Sequence, residues 1–259
     1  MTDGQWAALE PLVEACRPRG KTPPRDLRRT VEAIVWRHAN GAKWRAVPAE
    51  LGPWWRAAQL FIRWAKLGAW QRLLEAAQAR GVELGMAFLD GTSIRAHPKA
   101  AGAPKKGGPR ASATGGRRSA ARAGASAPRR ASSPTGGAAR SPSRSRPALA
   151  PGQAHELPLA PGLLDRLPRV PLWVVGDRGY SSHAFRDRVW GKGARPAIPT
   201  RSNEAAVACP DYIYNNRNRV ERLWGRLKEW RAVATRYEKT AASYLGVLCL
   251  AATVDWLKP

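Results

Sequence analysis

Over the first eighty positions apolar residues recur every three or four places; beyond them the chain turns to short unbroken apolar runs. In "TPPRDLRRTVEAIVWRHANG" the spacing sets Leu27, Val31, Ile34, Val35 and His38 on one face of a helix. Thr22 is the expected N-cap, the prolines fit a first turn, and Gly41 is the stop. His38, on the apolar face, reads as a core residue rather than a ligand. "WWRAAQLFIRWAKLG" and "WQRLLEAAQARG" predict two further amphipathic helices, each closed by glycine. Short helices joined by tight turns, with arginines outward, can build a helix-turn-helix unit. Residues 1–82 are therefore expected to form a small all-α domain of DNA-binding type.

From about residue 85 the pattern is that of buried strands. "ELGMAFLDGTSI" and "VPLWVVGDRGYSSHAF" each run through apolar residues to an acid, Asp90 and Asp177, as when a strand delivers a carboxylate to a sheet end. "ARPAIPTRSN" predicts another strand. "YNNRNRVERLWGRLK" predicts a helix with Tyr214, Arg217, Glu221, Trp224 and Lys228 along one stripe and Val220, Leu223 and Leu227 beside it. That stripe reads equally as a solvated face with internal ion pairs, and Trp224 either as core or as a base-stacking group. Alternating strand and helix place the second part in the α/β class, with ligands expected beyond the strand ends.

Charge narrows the partners. The formal net charge is +25 and the pI near 11.4, a field that draws polyanions, nucleic acid first. The longest apolar run, "YLGVLCLAATV", is too short to cross a bilayer. The opening residues carry acids where a signal peptide would be basic. Cys16, Cys209 and Cys249 are too scattered for zinc and fit a reducing compartment, and the four histidines are equally dispersed. The expected location is the bacterial cytoplasm, at the nucleoid. Seven of the twelve tryptophans precede residue 71, which calls for a packed unit there.

Phosphodiester cleavage is served by two divalent ions about 3.5–4 Å apart, held by hard oxygen ligands. Asp90, Asp177 and Glu221 could supply those oxygens. The spacing Tyr214, Arg217, Glu221, Lys228 resembles the signature of DDE transposases of the bacterial insertion-sequence-5 group. "GAKWRAVPAELGPW", "LDGTSIRAH", "GDRGYSSHAFR" and "ERLWGRLKEWRAVATRYEK" resemble that group's successive regions. The resemblance implies an RNase H-like core with Asp90, Asp177 and Glu221 as catalytic and metal-binding residues, and two Mg²⁺ ions that Mn²⁺ can replace. It implies DNA contacts from Tyr214, Arg217 and Lys228. The implied partners are double-stranded DNA, as terminal inverted repeats and target, and further copies of the chain in an active homo-oligomer.

Residues 99–147 break the resemblance. They are nearly all Ala, Gly, Pro, Ser and Arg, hold twelve of the basic side chains, and contain neither an acid nor an aromatic. Such a composition predicts disorder. The core is accordingly expected in two pieces, 83–98 and 148–259, interrupted and lacking two strands. Read one base out of frame with suitable synonymous codons, "RSAARAGASAPRRASSPTGGAARSPSRSR" can encode "LGRSRGGVGTKACVIADGRGRAIAFALA", which resembles the absent family segment. A pair of compensating frameshifts is the expected cause, and a poorly folded or inactive chain the expected result. The rival readings are a non-catalytic DNA binder that occupies element ends, and a nucleoid-type protein acting by charge alone.

Overall fold

The computed structural model describes residues 1–20, 25–79, 85–101, 118–126, 143–151, 155–167 and 169–257. Helix α1 (Asp3–Cys16) starts at a reciprocal cap: the Gln5 amide donates to the Thr2 hydroxyl and the Thr2 amide to the Gln5 side chain. Helix α2 spans Leu27–Asn40, later than the sequence suggests, with Asp26 at its N-cap; Thr22 lies outside the described residues. Gly41 ends α2 at φ +61°, where a Cβ would come within 2.8 Å of the Arg231 Cβ. Both the turn and the close approach demand glycine there. Helices α3 (Trp54–Lys66) and α4 (Ala69–Ala79) follow around a short turn. His38 is fully buried against the Phe61 ring, 4.3 Å between centroids.

Strand β1 (Met86–Ala96) organises the sheet, followed by the short helix α5 (Pro98–Ala101). Strands β2 (Arg118–Ser126) and β3 (Ser143–Pro151) lie antiparallel on one side, β2 pairing with β1 from Ile94 back to Met86. After helix α6 (Ala160–Asp165), β4 (Trp173–Val175) pairs parallel on the other side of β1. Helix α7 (His183–Gly191) then leads to β5 (Arg195–Ala197), giving the order β3-β2-β1-β4-β5. The chain closes through α8 (Asp211–Tyr214), α9 (Asn218–Lys228), α10 (Arg231–Ala234), β6 (Thr235–Arg236) beside the end of β1, and α11 (Ala241–Trp256).

The α/β expectation holds, but two parts of it change. The core does not lack its second and third strands: β2 and β3 fall within or overlap residues 99–147, while 102–117 and 127–142 lie outside the described residues. Hydrophobic pattern could not reveal these strands, because ladder hydrogen bonds come from the backbone and are indifferent to an Ala/Ser/Arg sequence. A partner for β1 also satisfies N–H and C=O groups that an open edge would leave unpaired. Pro147 is tolerated in β3, the outermost strand of this order. Second, β1 does not end at Asp90 but continues six residues further, to Ala96.

Alternation along β1 divides the core. Phe88 and Ile94 join Val175, the first four helices, α9 and α11 in one cluster, whereas Leu89 packs with Val174, α6 and α7 on the other face. The sheet is thus covered by helices on both sides, and the N-terminal helices share their core with α9 and α11.

Candidate active site

Strand register places the two aspartates. In the parallel pair β1–β4, Phe88 stands opposite Val175. Asp90 and Asp177 each lie two residues beyond that pair, so the ladder brings them side by side. Asp90 shares the face of Phe88, the side on which α9 packs. Asp177 caps the turn after β4, its Oδ1 accepting from the Gly179 amide at 2.8 Å.

Glu221 comes from α9, and one guanidinium ties all three acids together. Arg217 Nη2 donates to Asp90 Oδ1 at 3.0 Å and lies 3.6 Å from Asp177 Oδ2. Its Nη1 donates to Glu221 Oε1 at 3.1 Å. The three acids expected to act together are thereby gathered around Arg217. Lys228 Nζ donates to Thr92 Oγ1 at 2.7 Å, on the same face of β1 two residues past Asp90. Tyr214 borders a hollow of about 470 Å³ together with Asp177, Arg178 and Asp211.

The single helical stripe is not continuous. Tyr214 ends α8 and Arg217 closes a separate tight turn before α9 begins. Trp224 is in the core with Val220, Leu223 and Leu227, so packing rather than stacking on a base describes it. Its spacing matches the stripe, but the burial of α9 against α11 and the sheet turns it inward. The His97 ring packs 5.1 Å from that of Tyr237. Glu204 pairs with Arg186, and Asp165 with Arg188 and Lys192.

Burial raises the Asp90 pKa to about 6; Arg217 opposes the rise while Asp177 and Glu156 add to it. Burial works against the charge of Arg217, yet the surrounding acids, Asp90 foremost, hold its pKa above the usual value. Glu156 is the participant that sequence reasoning missed. It lies on the opposite face of β1, where a Cβ on Gly91 would come within 1.6 Å of its Oε1. Buried Tyr180 donates its hydroxyl to Glu156 Oε2 at 2.8 Å. Burial, then the negative charges of Glu156, Asp90 and Asp177, keep that hydroxyl protonated. A signal was present, since Glu156 is the only acid between Asp90 and Asp165.

Chemically, these are hard oxygen donors from three elements around a single cation, a set suited to divalent ions. Among the described residues no three potential ligands converge into a ready-made metal centre. Arg217 sits between the acids, so ions can bind among them only when its side chain swings aside.

Two family models for transposase DDE domains match residues 140–207 and 174–258, and a model for transposases of the IS4/5 family matches residues 1–74. An uncharacterized protein of Sinorhizobium fredii is 35% identical over 115 residues, 43% of this chain and 90% of the relative. The chain belongs to the insertion-sequence DDE transposases. A protein of Brucella ovis named as transposase for insertion sequence element IS6501 is 29% identical to this transposase over 119 residues, 45% of this chain and 89% of its own. An uncharacterized protein of insertion element IS402 from Burkholderia cepacia is 31% identical over 108 residues, 36% of this chain and 71% of its own. The three family models leave residues 75–139 of the transposase uncovered, and Asp90 lies in that interval. Among the described residues no helix is long and apolar enough to cross a membrane.

Proposed function

We propose that this transposase cleaves DNA strands at the terminal inverted repeats of an insertion sequence and joins the freed ends to target DNA. The gathering of Asp90, Asp177 and Glu221 around Arg217 carries this reading. An RNase H-like core is supported by three antiparallel strands continued by two parallel ones, with acids just beyond the parallel pairing. Asp90, Asp177 and Glu221 would hold two Mg²⁺ ions, or Mn²⁺, which supply charge stabilisation at the attacking and leaving oxygens. Water attacks first and frees a 3′-hydroxyl, which then attacks the target strand. Arg217, displaced from the acids, turns its guanidinium to a backbone phosphate. Lys228, beside Thr92, meets the phosphate of the element end, and Tyr214 orients DNA at the hollow next to Asp177. The active form is a homo-oligomer that pairs two ends, working at the bacterial nucleoid.

Full-length protein incubated with Mg²⁺ and duplex DNA carrying the element ends and their flanks is expected to nick at the boundary. Glu221→Ala should reduce nicking by at least about a thousandfold, in line with loss of a ligand whose role is positioning. Equal nicking by the two proteins would remove Glu221 from the chemistry. A non-catalytic DNA binder is the second reading, favoured by the altered composition of residues 99–147 and attributed to compensating frameshifts. It predicts binding to element ends without Mg²⁺-dependent cleavage, and indifference to Glu221→Ala.

A further inference from the structure

Arg217 is not the only tie between the two aspartates. Ladder pairing of β1 with β4 stops at Phe88 and Val175, and both aspartates lie beyond it. On the face of β1 away from Asp90, a second connection runs from one to the other. It begins in the turn after β4, where Asp177 Oδ1 accepts from the Gly179 amide and the Asp177 carbonyl from the Tyr180 amide at 3.1 Å. The Tyr180 ring lies against buried Gly176, where a Cβ would meet it at 3.2 Å. Its hydroxyl donates to Glu156 Oε2 at 2.8 Å. The Glu156 carboxylate in turn fills the place that a side chain at Gly91 would take, its oxygens 1.6 and 2.0 Å from that Cβ position. The connection thus rests on Gly176 and Gly91, the immediate neighbours of Asp177 and Asp90.

Both ends are anchored in the same core. Tyr180 is fully buried and packs with Leu89, Leu163, Leu164 and Val174. Glu156 stands four residues before α6, its carbonyl accepting from the Leu159 amide at 3.0 Å, and Leu157 and Leu159 pack against that core. Packing alone requires neither the hydroxyl nor the carboxylate, since apolar groups of the same shape can replace a buried hydrogen-bonded pair at little cost. A hydroxyl bonded to a carboxylate adds a short, directional link that apolar contact lacks. The two ties also differ in what cations would do to them. Arg217 has to leave the acids when ions enter, whereas Tyr180 and Glu156 stand on the far side of the strand and stay in place.

We infer that Glu156 and Tyr180 are positioning residues, whose hydrogen bond holds the Asp90 end of β1 against the Asp177 turn and so sets the spacing of the oxygens offered to ions. The inference rests on the reading of Asp90, Asp177 and Glu221 as metal ligands. Its test is titration of the full-length protein with Mn²⁺ in the absence of DNA, free Mn²⁺ being read by electron paramagnetic resonance and Glu221→Ala marking the site. Tyr180→Phe keeps the ring and loses the bond, and should weaken Mn²⁺ binding at least about tenfold, as loss of a group that orients ligands does. Glu156→Ala should do the same, and the two changes together should cost no more than either alone. Glu156→Gln keeps an oxygen that can accept from Tyr180 and should bind Mn²⁺ nearly as the unaltered protein does. Gly91→Ala pushes aside the free end of the Glu156 side chain, so it should weaken Mn²⁺ binding while leaving the melting temperature nearly unchanged. Unchanged Mn²⁺ affinity in Tyr180→Phe would overturn the inference. So would Glu156→Gln binding as weakly as Glu156→Ala, a result that would make the carboxylate itself a ligand. If the unaltered protein and Glu221→Ala take up Mn²⁺ alike, the metal reading fails by itself, and hydrogen exchange then decides the positioning role. Tyr180→Phe should speed exchange at the amides of residues 179–181; exchange at the unaltered rate would sink it.

Discussion

Arg217 meets Asp90 and Asp177 through one nitrogen and Glu221 through the other, and so holds acids that would otherwise repel. Asp90 is the most buried of the three, and its ionisation is opposed until about pH 6. In the unfolded chain it ionises near the ordinary pKa of 3.8. Between those values the folded state binds more protons, so the Asp90 contribution to stability falls as pH rises from about 4 to about 6. Chemical denaturation of the unaltered protein and Asp90→Asn in EDTA across that range should show their stability difference falling with pH. In an Arg217→Gln background the fall should be larger and reach higher pH. A flat difference would contradict the burial argument.

Elements are joined by polar contacts that no local pattern announces. Arg37 on α2 ion-pairs with Glu238, between β6 and α11, and its Nη1 also lies 2.7 Å from His38 Nδ1. All three are buried. Burial, then the charge of Arg37, depresses the His38 pKa, so the imidazole is neutral and its Nδ1 can accept a hydrogen bond from Arg37. Arg37→Met leaves the Glu238 carboxylate buried without its cation and should cost about 3–5 kcal/mol in denaturant unfolding. Adding Glu238→Leu should recover most of the loss; no recovery would show that packing, not pairing, sets the value. Helix periodicity made α2, α3, α4 and α9 legible, because a repeat near 3.6 survives in one dimension. The pairing of residues 37 and 238 did not, since 200 residues of chain separate them and arginines are common throughout.

At the scale of the whole molecule, β2 and β3 complete the sheet with a sequence that offers few apolar side chains. If the shifted reading is the ancestral one, replacing residues 118–146 by "LGRSRGGVGTKACVIADGRGRAIAFALA" adds apolar residues where the sheet is covered by helices. Melting temperature should then rise by at least about 3 °C, the shift expected for roughly 1 kcal/mol in a chain of this size. A lower or equal value would remove the frameshift account, as would codons in the gene that cannot yield the shifted peptide.

Asp90 and Asp177 stood out as candidates because apolar runs closing on acids are properties of a string, and Glu221 because the Tyr214–Lys228 spacing resembles a family signature. Glu156 is the lone acid of its stretch, but its place beside Gly91 and Tyr180 was not legible, because those neighbours come from distant segments. The sequence by itself determined helices α2, α3, α4 and α9, the α/β class and three acids as candidates, consequences of local period, residue chemistry and one recognisable spacing. Only the tertiary structure decided that Arg217 stands between the acids, that β2 pairs with β1 and β3 with β2, and that Trp224 turns inward. Those outcomes depend on which surfaces meet when the chain buries its apolar area and satisfies its backbone, a condition on the whole molecule that no short stretch contains.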